Sequence, residues 1–146
     1  MTDWGAHHVD IAQWALNQNG EGQGVLELDP LVGSHPIDLE NGMPTKDNFY
    51  NTSNNFHIKC LFPRKVEMNI VSKSEEGNGI LFDGSKGSMF VSRSKLSGEV
   101  VKELKENPLG SDTIEEVYKG KKITNHMDNF FASMNDRTDP ISDVYT

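Results

Sequence analysis

Apolar and polar positions change period along the chain, and each change marks an element. Between Trp4 and Leu16 the residues sort at the 3.6-residue helical period. Asp3, His7, Asp10 and Trp14 fall on one narrow stripe, at spacings of four, three and four. Ala6, Val9, Ile11, Ala12, Ala15 and Leu16 cover most of the rest, interrupted by His8 and Gln13. A helix apolar nearly all round is expected to be buried. It should run to about Asn17, where Asn17 to Gly24, rich in asparagine and glycine, ends it. Val25 to Leu28 then reads as a short strand. From Asp29 to Asn54 Pro, Gly, Asn and Asp dominate, predicting a long ordered loop with turns at Pro36, Asn41-Gly42 and Pro44.

The period then drops to two. Phe56, Ile58, Cys60 and Phe62 alternate with His57, Lys59 and Leu61, the pattern of a half-buried antiparallel strand. Pro63-Arg64-Lys65 makes a turn, and Val66, Met68 and Ile70 mark the returning strand of a hairpin. Gly79 to Phe82 and Ser88 to Ser92 form a second hairpin around Asp83-Gly84. Glu99 to Lys105 reads as a helix stopped before Pro108. Residues 107–120 read as loop, with an extended stretch near Val117-Tyr118. Thr124 to Asn135 reads as the second main helix, with Met127, Phe130, Phe131 and Met134 as a core-facing stripe and Thr138-Asp139-Pro140 as its stop. This order predicts an α+β fold: a mainly antiparallel open sheet with helices on one face. No alternating βα repeat occurs, so the chain is not a doubly wound nucleotide-binding domain.

Composition narrows the function classes. The chain has 146 residues, one domain's worth, of which 35% are hydrophobic. That share is low for a compact enzyme and predicts long loops or reliance on a partner for burial. Fourteen basic against 22 acidic side chains give a net charge of −8, which argues against nucleic-acid and anionic-membrane binding. The single cysteine, Cys60, forms no internal disulfide and reads as a small packing residue. No stretch has the length of a membrane span, and the sequence assigns no compartment.

Chemistry concentrates on the first helix. Two carboxylates and an imidazole on one line need partners if buried: protein groups, a metal or a polar ligand. Asp3 is also well placed simply to cap the helix, and His8 lies off the stripe as a packing residue.

Asp3-x-x-x-His7-x-x-Asp10 followed by Ile11-Ala12-Gln13-Trp14 resembles the start of the second domain in the glucose-fructose oxidoreductase / inositol dehydrogenase / MocA superfamily. Gly79 to Gly87 resembles that family's later strand-turn-strand, and Asn125 to Phe131 with Pro140 to Val144 its late helix and turn. The resemblance implies that residues 1–146 are a substrate-binding and oligomerisation domain, a piece of a longer protein without its N-terminal Rossmann domain. It implies an NAD- or NADP-dependent dehydrogenase acting on a sugar or polyol. His7 would be the acid/base residue and Asp3 its partner; His8, Asp10 and Trp14 would lie on the substrate side. A histidine suits that task because it titrates near neutral pH. The family's glycine-rich nucleotide loop and Glu-Lys-Pro motif do not occur here. The chain alone is therefore expected to bind no NAD(P) tightly, to turn over nothing, and to form a homo-oligomer through its sheet face. Two alternatives stand beside this reading. One is a metal-dependent hydrolase or isomerase holding zinc or manganese on Asp3, His7, His8 and Asp10. The other is a non-catalytic ligand-binding or scaffold module on the same fold.

Overall fold

The computed structural model describes residues 4–121 and 123–143. The chain is α+β with antiparallel sheets, as expected. It divides into two compact units that meet in sequence at Ile80 and Leu81.

The first unit opens with α1 (Trp4–Ala15). Its sheet has three strands in the order β1-β4-β5: β1 (Glu27–Ser34), β4 (Asn55–Phe62) and β5 (Val66–Val71). Register explains the alternation in the sequence. Cys60 faces Leu28 on one side and Met68 on the other, while Ile58 faces Pro30 and Ile70. One sheet face is thus Leu28, Pro30, Phe56, Ile58, Cys60, Phe62, Val66, Met68 and Ile70. Cys60 and Phe62 are buried there, whereas Leu28 remains exposed. The opposite face mixes Leu61 and Val71 with polar pairs. Lys59 pairs with Glu67 at 2.7 Å, and His57 is hydrogen-bonded to the Asn69 side chain at 2.7 Å.

The strand expected at residues 25–28 is longer and lies further along. Pro30 and Gly33 hide it in the sequence, yet an edge strand tolerates both. A bulge at Leu31 re-registers β1 between Pro30 and Val32. The rest of the predicted loop is an excursion, and its neck is closed. Ser53 Oγ donates to Ser34 O at 2.8 Å, Asn54 N donates to Ser34 O at 3.1 Å, and His35 Nδ1 lies 2.9 Å from Asn51 O. Within it, β2 (Leu39–Glu40) and β3 (Met43–Pro44) pair across Asn41-Gly42. Both turn residues have positive φ, 51° and 78°, the twist a two-residue hairpin requires. Met43, Phe49 and Tyr50 stand exposed on this excursion.

The second unit holds β6 (Ile80–Gly84), β7 (Gly87–Val91) and β8 (Leu96–Gly98) in that order. Phe90 is its buried residue. Helix α2 (Glu99–Glu106) packs on β7 and β8. Gly98 lets β8 run close against β7: a Cβ there would collide with the Ser88 carbonyl oxygen, and its φ is +124°. Residues 113–117 form a short helix, α3 (Thr113–Val117), where an extended stretch was expected. Its β-branched residues suggest strand, but Glu115 and Glu116 in the first turn favour helix. Helix α4 (His126–Asp136) is capped by Asn125, whose side chain accepts from Met127 N at 2.9 Å. Arg137 ends it in the left-handed conformation (φ 55°).

The α4 stripe corrects one expectation. Met127, Phe130, Phe131 and Met134 are all more than half exposed rather than in a core. The unit's sheet is small, and α2 covers it.

Candidate functional site

Helix α1 carries the candidate residues, and its burial is one-sided. Gly5, His8, Val9, Ala12 and Leu16 form the inward flank, with Ala12 fully buried. His7, Asp10 and Trp14 lie on the opposite flank, all exposed. The helix is therefore not buried all round, as its composition suggested. Trp4, Ile11 and Trp14 share the exposed side, at 41%, 44% and 40% exposure. Asp3, the expected partner of His7, lies outside the described residues.

One contact was not foreseen in the sequence. The Trp4 indole meets both imidazoles: the His7 ring centroid is 5.8 Å away with the rings tilted by 58°, and the His8 ring is 5.9 Å away and stacked at 25°. The signal was present, since Trp4 stands at i−3 from His7 and i−4 from His8. Half-buried His8 thus belongs to the packing flank and to this aromatic cluster at once.

The far end of α1 is fastened to the turn between β4 and β5. Arg64 Nη2 donates to Leu16 O and Asn17 O, each at 3.1 Å, filling carbonyls that the helix end leaves open. Gln18 is completely buried, and its Nε2 reaches Pro63 O at 3.5 Å. Arg64 and Lys65 both take positive φ, 61° and 60°, which is unusual for side-chain-bearing residues.

Electrostatic perturbation lies elsewhere. The hydrogen bond and charge of Lys59 hold the Glu67 carboxyl below its ordinary range, and Glu67 in turn raises the Lys59 ammonium. Burial pushes the Cys60 thiol up, so it stays protonated and unreactive. Among the described residues, no group of three or more His, Cys, Asp or Glu is arranged to hold a metal ion. No helix among them is long and apolar enough to cross a membrane. A depression of about 550 Å³ in the second unit is lined by Ser111, Ile114, Glu115, Gly120, Lys121 and Ile123. Lys121 in that lining donates to the carbonyls of Asp139 and Pro140, at 3.1 and 3.0 Å.

The arrangement defines an α+β chain with an exposed imidazole and carboxylate on a helix whose other exposed residues are apolar. No family model, curated protein or solved structure matches this chain.

Proposed function

We propose that this chain is the substrate-binding domain of an NAD- or NADP-dependent dehydrogenase acting on a sugar or polyol, with the nucleotide bound by a separate Rossmann domain. The observation that carries the reading is the exposed flank of α1. An imidazole and a carboxylate stand there among apolar side chains, the composition of a wall awaiting its opposite. The resemblance of the His7-x-x-Asp10 stretch to the glucose-fructose oxidoreductase family supports it from the sequence side.

The chemistry follows from residue type. Oxidising a secondary alcohol requires a base for the hydroxyl proton while hydride leaves for the nicotinamide. His7 takes that proton, with Asp3 orienting the imidazole. Asp10 and Trp14, on the same flank, hold neighbouring hydroxyls and the carbon skeleton, and His8 adjoins them. The nucleotide supplies the hydride acceptor and comes with the other domain. The exposed end of the apolar sheet face, at Leu28 and Pro30, suits a second copy of the chain, so the protein is a homo-oligomer.

The test expresses this chain together with a Rossmann domain of the proposed kind and follows polyol-dependent reduction of NAD(P)+ at the nicotinamide absorbance. His7→Gln should lower kcat by roughly 10²- to 10⁴-fold, the usual worth of a general base. Equal turnover by wild type and His7→Gln, or no turnover by the wild type, refutes the proposal.

A further inference from the structure

We infer that Trp4 is a positioning residue: one indole clamps the rings of His7 and His8 and fixes the direction in which His7 presents its nitrogens. The effect on turnover rests on the dehydrogenase reading above; the clamp itself does not.

Three observations carry the clamp. First, the helical spacing sets Trp4 one turn before both histidines, so a single ring reaches both. Second, the two contacts differ in kind. The His8 ring lies nearly parallel to the indole, while the His7 ring is tilted against it. Offset stacking and tilted contact are the two arrangements that an aromatic quadrupole favours. Third, the two histidines sit on different flanks. His8 is half-buried on the packing side, whereas His7 is exposed. An exposed side chain on a helix ordinarily samples its staggered rotamers freely. Trp4 transmits the restraint of the packed flank, through His8, to a residue that packing does not reach. A general base must stand within hydrogen-bond reach of its proton, so a restricted rotamer raises the productive fraction. At the usual strength of an aromatic pair, the held rotamer gains roughly 3- to 10-fold over each of the others, which raises its fraction roughly 2- to 3-fold.

The experiment has two arms. The first uses proton NMR of the chain as it stands, reading the ring protons of His7 and His8. In the wild type both should be displaced by the indole ring current. Trp4→Leu should return both to coil positions, while Trp4→Phe keeps part of the displacement. Amide exchange of residues 9–15 checks that the helix persists in each variant. Coil positions in the wild type, or in the Phe variant with its helix intact, overturn the clamp. The second arm measures turnover of the chain joined to its nucleotide domain. Trp4→Leu should lower kcat roughly 2- to 3-fold with KM unchanged, and Trp4→Phe should restore most of it. Unchanged kcat overturns the role in turnover. An inactive wild type refutes the dehydrogenase reading instead, and the first arm still decides the clamp.

Discussion

Replacing Arg64 by alanine and by glycine separates two opposed contributions at one position. The side chain donates to two carbonyls at the end of α1, each at 3.1 Å. Charge-assisted bonds to backbone oxygen are strong in a dry site, but this guanidinium is exposed. Solvent screening reduces the pair to about 1 kcal/mol together. Against that stands the backbone. Arg64 has φ 61°, a conformation that costs a residue with a Cβ about 1 kcal/mol. Alanine loses the bonds and keeps the strain, so Arg64→Ala should destabilise the first unit by about 1 kcal/mol. Glycine loses the bonds and relieves the strain, so Arg64→Gly should fall within about 0.5 kcal/mol of wild type. Urea unfolding followed by tryptophan fluorescence reads this well, because both tryptophans, Trp4 and Trp14, lie in α1. If the glycine variant is as unstable as the alanine variant, the turn stores no strain. If the alanine variant matches wild type, the bonds to Leu16 and Asn17 contribute nothing.

Other outcomes follow from the two sheets. Glu67 has a depressed carboxyl, so its contribution is present above the ordinary carboxylate value of 4.5 and fades as pH falls through the folded-state value. Acid should therefore loosen the β4–β5 pairing, seen as lower amide protection there relative to the intrinsic exchange rate at each pH, and Glu67→Gln should flatten that dependence; an unaltered profile in the variant would count against the ion pair. Lys59 works the other way, with a contribution present below 10.5 and lost at higher pH. Gly98→Ala should destabilise the second unit by about 3 kcal/mol, since the new methyl meets the Ser88 carbonyl at a positive φ. Thermal unfolding of that variant at the wild-type midpoint would show the approach of β8 to β7 to be slack. Cys60, buried and protonated, should react with a thiol reagent only on unfolding; rapid labelling of the native chain would contradict its place in the sheet.

What was legible beforehand was local. The β4–β5 hairpin declared itself because Phe56 to Ile70 alternates with one face buried, and a period of two admits no other reading. The helical stripe of His7, Asp10 and Trp14 was equally plain, because spacing alone sets it. What the stripe faces was not. The guanidinium that ends α1 comes from a residue 47 positions after Asn17, and nothing near the helix announces it. Strand β1 was hidden by Pro30 and Gly33, which signal loop unless a neighbouring strand is known to accept a bulge. The α4 stripe misled for a related reason: periodicity tells which side of a helix is apolar, not whether the chain has surface to cover it.

The pinned neck between Ser34 and Asn54 has a consequence for how such a chain changes over time. Because the two ends are tied to each other, the span between them is insulated from the pairing of β1 with β4. Residues added or deleted around Asn41-Gly42 alter only the excursion, where Met43, Phe49 and Tyr50 are exposed. Length can thus change there while the strand ladder beneath it stays in step.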